Sequence, residues 1–509
     1  MKDIKLMDTV CAVLVIVLIS GLLFLYPEET AHRIDALRNG IMQIFTPYFL
    51  VIGLLIFLFC LAISLSKWGK FRIGSERPEY KTSTWLMMIF CTGMGSNLLY
   101  WSGVEWIHYY TSPPAGIEPL SSAAEQVAAA YGPFHWGLIG WAIYAVGAIT
   151  LGFRCFVLKR PGFTLSGCCD SMLHGKNMTH MIEIFYLFGT IGGYATMVAF
   201  VVPMYCNNLT YLFNLPNTFI SELVLMGIIT VIFTVSSCSG VKHGIKRLSQ
   251  VNVALAIILG IFFLYAGASM GSLQTTADSV RNTILHFTEM SLAFGSWGDI
   301  QFAQGWTGFY WAWWIGLAPS MWIFISKISK GRTVRQILMG TILSGTAGCL
   351  FYFGAVGNYG LCLQKSGAVD LVEVFLQQGP DAAVLELVLS LPHGRGMLIL
   401  WTLTGLIFLI TTLDSGTYTL AVSTSNHLMG DEQPNISLRL FWAVLIIAIP
   451  AGLIYADSPV STLQAAAIIT SLPISILTIL TIVCGIQYLR RHNTCGNQLY
   501  GKNSKTPEK

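Results

Sequence analysis

Hydrophobic residues in this chain form long runs that are separated by short polar segments. Each run is about 20 residues long, which matches the length of helix needed to cross the hydrocarbon core of a bilayer. The runs predict twelve membrane-spanning helices, near residues 8–26, 44–66, 84–104, 134–158, 182–208, 218–238, 251–271, 307–327, 337–360, 397–424, 439–456 and 462–487. The predicted fold class is therefore an all-α integral membrane protein.

Composition and charge agree with this prediction. Of the 509 residues, 54% are hydrophobic and only 11% are charged, too few charges to cover a soluble protein of this size. If the N-terminus is cytoplasmic, inside segments hold 24 of the 29 Lys and Arg residues and outside segments hold 5. Lys and Arg concentrate on the cytoplasmic side of membrane proteins. The bias predicts that both termini are cytoplasmic, and the small net charge of +4 reflects this orientation and not binding of nucleic acid.

Two of the predicted spans contain residues that interrupt helices. Span three carries "CTGMGSN" at residues 91–97, with Gly93 and Gly95, and span eight carries Gly316 and Pro319. These spans would begin two five-helix units, spans 3–7 and spans 8–12. Interrupted helices at matching places are typical of inverted-repeat transporters, in which the substrate lies near mid-bilayer beside the breaks. The alternative is that Gly and Pro are simply common in membrane helices.

This arrangement divides the chain into five segments. They are an N-terminal two-helix extension at 1–83, a first repeat at 84–271, an external connector at 272–306, a second repeat at 307–488 and a cytoplasmic tail at 489–509. The connector contains "SLQTTADSVRNTILHF", which predicts an amphipathic helix lying on the outer surface. Any substrate would therefore be held between the two repeats.

Aromatic residues are concentrated near the interrupted spans. Trp313 and Trp314, in "FYWAWWIGLAPS", lie roughly 10 Å into span eight at 1.5 Å per residue, deeper than an interfacial belt requires. A second group of rings opens span four, at Trp136, Trp141 and Tyr144. Rings that converge on a broken helix predict a cage for a quaternary ammonium group, whose dispersed charge suits ring faces. The alternative is that these rings only pack between helices.

Three long motifs resemble those of the betaine/carnitine/choline transporter family. They are "GMGSNLLYWSGVEWIHYYTSPP" at 93–114, "FHWGLIGWAIY" at 134–144 and "GWTGFYWAWWIGLAPSMWIFISKISKGRTVRQ" at 305–336. The resemblance implies a leucine-transporter-type inverted repeat, spans 3–7 and 8–12, with two extra N-terminal helices. It also implies a secondary transporter of trimethylammonium compounds that is assembled as a homotrimer in the lipid of the cell inner membrane, with no cofactor.

The resemblance also assigns residues to the substrate site. The ammonium cage of the family corresponds here to Trp136, Trp141, Tyr144, Trp313 and Trp314. His108 and Leu317 depart from the pattern, because related carriers place a further aromatic residue at each position. Met321 resembles the exchangers of the family, in which a thioether takes the place of a second cation near the substrate.

Asn97 bears on the class of substrate. Choline-selecting members of the family resemble one another in having an Asp at this position. A carboxylate would attract a purely cationic substrate and repel a zwitterion. A neutral Asn favours a zwitterion such as carnitine, γ-butyrobetaine or glycine betaine, whose carboxylate could approach the N–H groups of the unwound helix. The alternatives are an Asn that only caps the helix break and a choline carrier.

The positions that would bind a coupling ion give mixed indications. Sodium-coupled relatives place the cation at positions that correspond here to Cys91, Met94, Phe408, Thr411 and Thr412. Asn252 favours sodium, because sodium-independent exchangers resemble one another in having an Arg there, whereas Met321 favours exchange. Thr hydroxyls often only bond back to helix carbonyls. Coupling to Na⁺ (symport) is predicted, with substrate/product exchange (antiport) as the alternative.

Ionisable residues inside the predicted spans are few, and such residues are functional candidates. Asp414 lies in span ten beside Thr411, Thr412 and Ser415, and Glu105 lies near the outer end of span three; the sequence decides the role of neither. Motifs of the HExxH or GxSxG type are absent, which excludes the commonest membrane enzymes. The chain also shows no repeated pore segment typical of a channel, and its tails are short for the output domain of an osmosensor.

Overall fold

The computed structural model describes residues 5–502, apart from residues 75–76, 94, 174, 239–243, 427, 429–431 and 456–459. Within this part of the chain the secondary structure is helical and no β-strand forms. Nine helical segments there are long and apolar enough to cross a membrane. The prediction of a multi-pass all-α membrane protein is therefore confirmed.

The described part of the first half of the chain forms ten helices. They are α1 (Leu6–Leu25), α2 (Pro27–Leu65), α3 (Thr82–Gly93), α4 (Gly95–Thr111), α5 (Ser122–His135), α6 (Leu138–Gly152), α7 (Leu165–Cys168), α8 (Lys176–Phe213), α9 (Phe219–Cys238) and α10 (Gly244–Ala268). A π-helical turn at Phe153–Val157 extends α6, and a 3₁₀ turn at Lys67–Lys70 follows α2. With 39 and 38 residues, α2 and α8 are longer than a bilayer core requires.

Among the residues described in the second half there are twelve helices. They are α11 (Ser272–Leu285), α12 (Phe287–Leu292), α13 (Ile300–Gly305), α14 (Thr307–Ile328), α15 (Val334–Tyr352), α16 (Asn358–Ser366), α17 (Leu371–Gln378), α18 (Pro380–Leu389), α19 (Gly394–Thr424), α20 (Ile436–Leu445), α21 (Ala448–Tyr455) and α22 (Val460–Lys502). A 3₁₀ turn at Gly295–Trp297 precedes α13, and a π-helical turn at Phe353–Gly357 joins α15 to α16. The predicted connector therefore corresponds to α11, α12 and α13, and the boundaries of the repeats stay predictions.

Nine of the twelve predicted spans coincide with the segments that could cross a membrane. The other three, near 84–104, 218–238 and 307–327, fall on α3 and α4, on α9 and on α14. Residue 94, between α3 and α4, lies outside the described residues, so α3 and α4 are each shorter than a span, and the apolar part of α9 covers only Phe219–Val235. Tryptophan and tyrosine lower the hydropathy of α14. The count of twelve spans stays a prediction.

The interruption predicted for span three is borne out at one of its two glycines, Gly95. The structure describes α3 up to Gly93 and α4 from Gly95, because Met94 between them lies outside the described residues. Gly95 has a φ of +46°, a left-handed conformation that favours glycine. A Cβ on Gly95 would also overlap the hydroxyl of Thr412 in α19. The break is therefore packed directly against α19.

The predicted interruption of span eight is wrong. Helix α14 runs without a break over Thr307–Ile328, through Gly316 and Pro319. Gly316 allows close packing, because a Cβ there would lie 2.9 Å from the carbonyl oxygen of Ala467 in α22. Pro319 cannot donate a backbone hydrogen bond, a loss that neighbouring helices let a membrane helix tolerate. The rings of α14 are thus presented by a continuous helix.

Tryptophan rings packed against glycines hold α14 close to α6. A Cβ on Gly140 would overlap the ring of Trp314, and a Cβ on Gly147 would overlap the ring of Trp322. The indole N–H of Trp322 also donates to the carbonyl oxygen of Ile143 in α6, at 2.8 Å. Helices in membranes associate by close packing at small residues. The two glycines therefore set the distance between α6 and α14.

Adding one methyl group at this contact should destabilise the protein. Gly140→Ala places a Cβ where the Trp314 ring lies, so we expect a loss of about 1–3 kcal/mol, the usual cost of overpacking. Gly21→Ala in α1 is the matched control, because no neighbouring atom lies within 4 Å of its Cβ position. Thermal unfolding of both purified variants in detergent measures the difference, and equal melting temperatures would contradict this packing.

Candidate functional site

A small buried cavity lies beside the break between α3 and α4. Its volume is about 20 Å³, which is room for about one water molecule. Residues from both predicted repeats line it: Thr92, Gly93, Asn97, Trp136, Tyr144, Gly193, Tyr194, Met197, Trp313, Leu317, Met321 and Thr412. A larger cavity of about 440 Å³, between α1, α2, α8, α21 and α22, is lined mainly by aliphatic side chains, and its two charged residues, Glu29 and Arg33, pair with each other at 2.6 Å. The small cavity is therefore the candidate site.

The five residues predicted for the aromatic cage lie together at this cavity. Trp136, Tyr144 and Trp313 line it, and Trp141 and Trp314 lie directly behind them. The ring centroid of Trp314 lies 4.4 Å from that of Tyr144, 5.8 Å from that of Trp141 and 6.2 Å from that of Trp136. Trp136 and Trp313 meet edge to face, with centroids 5.8 Å apart. All five side chains are buried, so α5, α6 and α14 converge on one ring cluster.

Trp141 connects this ring cluster to the break. A Cβ on Gly345 in α15 would overlap its ring, and a Cβ on Gly93 would lie 2.8 Å from it. The ring also stacks on Phe90 of α3, with centroids 6.3 Å apart and an interplanar angle of 17°. The position of Trp141 is therefore fixed by α3 and α15 together, next to the backbone at which the helix unwinds.

Asn97 and Met321 also line the cavity, whereas His108 is not among its lining residues. Asn97 lies in the first turn of α4, and its Oδ1 is buried without a hydrogen-bond partner in the described part of the chain. His108 lies three turns further along α4, with its ring centroid 5.0 Å from Trp306 and 4.9 Å from Phe375. The structure therefore places His108 in an outer aromatic layer and does not bring it to the predicted site.

Three of the positions predicted to bind a coupling ion meet at the same break. The Oγ1 of Thr412 lies 3.1 Å from the carbonyl oxygen of Cys91 and 2.9 Å from that of Phe408. These three oxygens join α3 to α19, and oxygen atoms are the ligands that hard cations take. The Oγ1 of Thr411 donates to the carbonyl oxygen of Ile407 at 2.7 Å, the bond within the helix that was the alternative for both threonines. The bond from Thr412 to Phe408 is of the same kind, but Thr412 also reaches Cys91 in another helix.

Asn252 in α10 bonds to the backbone of α19 beside this group of oxygens. It is fully buried, and its amide, oriented to satisfy both neighbours, donates to the carbonyl oxygen of Thr404 and accepts from the backbone N–H of Phe408, each at 3.1 Å. The amide is neutral, so it adds no positive charge beside the carbonyl oxygen of Phe408. An Arg at this position would add one.

Glu105 is the centre of a buried network that was not predicted. It lies inside α4 and is fully buried. Its carboxylate accepts hydrogen bonds from the hydroxyl of Tyr109 at 2.5 Å, the indole N–H of Trp136 at 2.8 Å and the hydroxyl of Tyr310 at 2.7 Å. The Nδ1 of His135 lies 3.6 Å from the carboxylate. Because Trp136 lines the cavity, Glu105 is bonded directly to one wall of the candidate site.

Asp414, the other ionisable candidate, pairs with a residue of another helix. Its Oδ1 lies 3.3 Å from Nη2 of Arg439 in α20, and both side chains are buried. The guanidinium of Arg439 lies 5.3 Å from the ring centroid of Tyr418. Asp414 is not among the residues that line the cavity. Its carboxylate instead joins α19 to α20 through the ion pair with Arg439.

Two residues of α8, Tyr194 and Met197, line the cavity and were not predicted. The hydroxyl of Tyr194 lies 3.2 Å from Oγ of Ser320 in α14, which lies 2.7 Å from Oγ1 of Thr419 in α19. A helix that is apolar on all sides shows no periodicity by which a functional face could be recognised. The middle of α8, "GTIGGYATMVAF", is such a segment, so no signal was available there.

Known proteins that are similar to this chain are transporters. A family model described as "BCCT, betaine/carnitine/choline family transporter" matches residues 9–494. The carnitine transporter of Acinetobacter baumannii is 29% identical over 481 residues, which cover 94% of this chain and 87% of that protein. The glycine betaine transporter OpuD of Bacillus subtilis is 32% identical, over 91% of this chain and 90% of its own.

A third relative, the glycine betaine transporter of Acinetobacter baylyi, is 31% identical over 95% of this chain and 73% of its own length. The family match extends over nearly the whole chain and includes the helices that form the cavity. The family and the relatives are transporters and not enzymes. This chain therefore belongs to the betaine/carnitine/choline transporter family and is a multi-pass membrane transporter.

Proposed function

We propose that this protein is a secondary transporter that moves a trimethylammonium zwitterion across the cell inner membrane by alternating access. The observation that carries the proposal is the ring cluster at a broken helix, between the two predicted repeats. The names of the relatives, a carnitine transporter and two glycine betaine transporters, support the same substrate class. Carnitine, γ-butyrobetaine and glycine betaine are the candidate substrates.

The ammonium end of the substrate would contact the rings of Trp136, Tyr144 and Trp313, which line the cavity. A quaternary ammonium group cannot donate hydrogen bonds, so ring faces can replace its water without leaving donors unpaired. Each desolvated cation–π contact is worth about 2 kcal/mol. Three such contacts would offset much of the lost hydration.

The carboxylate end would lie at the start of α4. The first turn of α4 begins at Gly95 beside the cavity, and Asn97 in that turn is neutral. Unpaired N–H groups and the positive end of the helix dipole attract anions at such a position. An Asp at 97 would oppose a carboxylate, which is why a zwitterion is favoured over choline, the alternative substrate.

The small size of the cavity supports alternating access. A volume of about 20 Å³ holds about one water molecule, and a trimethylammonium group is several times larger. The helices around the cavity would therefore move apart to admit substrate from one side and then from the other. The proposal includes a homotrimer in the lipid bilayer, as the family resemblance implies, with both termini cytoplasmic, as the Lys and Arg bias predicts.

The energy source is proposed to be one sodium ion. The three oxygens of Cys91, Phe408 and Thr412 at the break and the neutral Asn252 support symport with Na⁺. Met321, which lines the cavity, supports the alternative, an exchanger that needs no ion because a thioether takes its place. A sodium ion at this position would hold α3 against α19 and so link ion binding to the state of the broken helix.

Uptake into proteoliposomes tests the function. Labelled glycine betaine should accumulate against its gradient when an inward sodium gradient is imposed. Excess unlabelled carnitine or γ-butyrobetaine should compete, and choline should compete least, because it has no carboxylate for the start of α4. Protein-free liposomes are the control. Strong competition by choline alone would favour the choline carrier, and absence of uptake for all four compounds would refute the proposed substrate class.

Loss of the Trp313 ring should weaken substrate binding. Trp313→Leu keeps an apolar side chain but removes one ring face, so we expect a rise in Kd of at least about tenfold. Trp311→Leu is the matched control, because it removes the same ring from the side of α14 that packs against Gly53 of α2. Calorimetric titration with glycine betaine compares the two variants. If the two variants bind glycine betaine with equal affinity, the Trp313 ring serves only to pack helices and does not bind the substrate.

Sodium dependence should rely on Thr412 more than on Thr411. Thr412→Ala removes the hydroxyl that joins α19 to the carbonyl oxygen of Cys91 in α3, whereas the described bond of the Thr411 hydroxyl stays within α19. We expect the initial rate of uptake to lose most of its dependence on external Na⁺ in Thr412→Ala and to keep it largely in Thr411→Ala, the matched neighbour. Full uptake by the unmodified protein in sodium-free buffer, driven only by preloaded substrate, would favour the exchanger.

A further inference from the structure

Glu105 combines three properties that the proposed transport cycle does not use. Its side chain is fully buried, it bonds to a ring that lines the substrate cavity, and all its described partners are formally neutral or titratable, without a Lys or Arg among them. A buried carboxylate without a positive partner is costly as long as it stays ionised. The geometry around Glu105 therefore favours a change of protonation when a positive charge arrives nearby.

The titratable groups that face Glu105 come from four helices. They are Tyr109 of α4, His135 of α5, Tyr310 of α14 and Cys349 of α15, and Tyr131 of α5 lies behind them against the ring of His135. His108, on the same helix as Glu105, points into a different aromatic layer against Trp306 and Phe375. None of these groups carries a fixed positive charge, so the carboxylate is the one group of this cluster positioned to balance a cation in the cavity.

A chain of hydrogen bonds leads from Glu105 towards the start of α14. The hydroxyl of Tyr109 lies 2.5 Å from Oε1 of Glu105 and 2.8 Å from Nδ1 of His135. The Nε2 of His135 lies 3.0 Å from Oγ1 of Thr307. Glu105, Tyr109, His135 and Thr307 are all buried, so each group depends on its neighbours in this chain for its hydrogen bonds.

The hydrogen bonds that link Glu105, Tyr109, His135 and Thr307 can run in either of two directions. With Glu105 ionised, Tyr109 donates to the carboxylate, His135 donates from Nδ1 to Tyr109, and Thr307 donates to Nε2 of His135. With Glu105 protonated, the carboxyl donates to Tyr109, Tyr109 donates to Nδ1, and Nε2 donates to Thr307. Both arrangements pair every group along the chain. A proton can therefore be gained or lost at Glu105 while all heavy atoms keep their places.

We propose that Glu105 is a proton-binding residue linked to the substrate cage: it is protonated when the cage holds no cation and ionises when a trimethylammonium group enters. The O–H bond of the carboxyl breaks and its electron pair stays on the carboxylate. Tyr109, His135 and Thr307 each accept one proton and pass on another, and Thr307 releases one to water at the start of α14, so charge and atoms balance without any redox change. This inference rests on the proposed function, since it requires a cationic group in the cage.

The hydrogen bond from Trp136 explains how the charge of Glu105 reaches the substrate. The indole N–H of Trp136 donates to Oε2 of Glu105 at 2.8 Å, and its ring face lines the cavity. A negative charge at the N–H edge makes the ring face more attractive to a cation, and the interaction is weakly screened in a buried site. Ionised Glu105 therefore acts as a positioning and charge-balancing residue, one ring away from the substrate.

The proposal makes substrate affinity dependent on pH in a defined direction. Below the pH at which Glu105 titrates, substrate must displace a proton, so the Kd for glycine betaine should rise up to about tenfold for each pH unit of acidification. The window to be scanned runs from about pH 5 to about pH 9, the range in which buried carboxyl groups titrate. Calorimetry in buffers of different ionisation enthalpy, at constant Na⁺, should detect release of up to about one proton per substrate bound.

Glu105→Gln should abolish both effects. The amide has the shape of a protonated carboxyl and can donate to Tyr109, but it cannot ionise. We expect a Kd that is independent of pH and close to that of the unmodified protein at low pH, with no proton release. Glu183→Gln is the matched control, because Glu183 is also buried yet accepts from the backbone N–H of Ser166 near the start of α8, away from the cage. It should keep the full pH dependence.

The outcomes separate this inference from the proposed function. Binding of glycine betaine by the unmodified protein with a Kd that does not change with pH, and without proton release, would overturn the proton site and leave the transporter proposal standing. Absence of any binding of trimethylammonium compounds would refute the proposed function itself. If Glu105→Gln does not fold, Tyr109→Phe replaces it: loss of a donor to the ionised carboxylate should make affinity begin to fall at a higher pH. An unchanged pH profile in Tyr109→Phe would also contradict the proposal.

Discussion

Membrane helices gain little from hydrophobic contact with each other, so the distance at which they pack depends on where small residues allow their backbones to approach. In this protein that constraint acts between α6 and α14, where the rings of Trp314 and Trp322 occupy the space above Gly140 and Gly147. Because the two helices are held at this distance, the rings that face away from the contact close around one cavity. The aromatic cage is therefore a consequence of the same ring-on-glycine packing that holds the centre of the molecule together.

A second constraint is that polar groups buried at membrane depth need partners inside the protein. The break between α3 and α4 frees backbone groups, and Thr412 lies within reach of the carbonyl oxygen of Cys91 because Gly95 has no side chain to exclude it. Glu105 is provided with three donors, whereas Oδ1 of Asn97 has no partner in the described part of the chain. Of these polar groups, only the Oδ1 of Asn97 is thus left for a partner that the protein does not supply.

The sequence predicts how deep a residue lies in the membrane, but it does not predict towards which neighbouring helices its side chain points. Trp136, Trp313 and their neighbours were found because rings deep in an apolar run are unusual, and residue counts give depth directly. His108 shares that signal, yet α4 directs it to another layer. Pro319 suggested a break, although a proline in a membrane helix is compatible with a continuous helix. The hydrogen-bond partners of Glu105 could not be predicted from the sequence, because Trp136 and Tyr310 are 31 and 205 residues away along the chain.

The central claim is that ring faces recognise the positive charge of the substrate and not only its shape. Calorimetric titration with glycine betaine and with 3,3-dimethylbutanoate, in which an uncharged carbon replaces the ammonium nitrogen, measures the charge alone, because size and carboxylate are the same. Three ring faces at about 2 kcal/mol each should make the Kd of the neutral isostere at least about a hundredfold higher. Equal affinities for the two compounds would contradict the claim and leave a cavity that selects only an apolar group of the right volume.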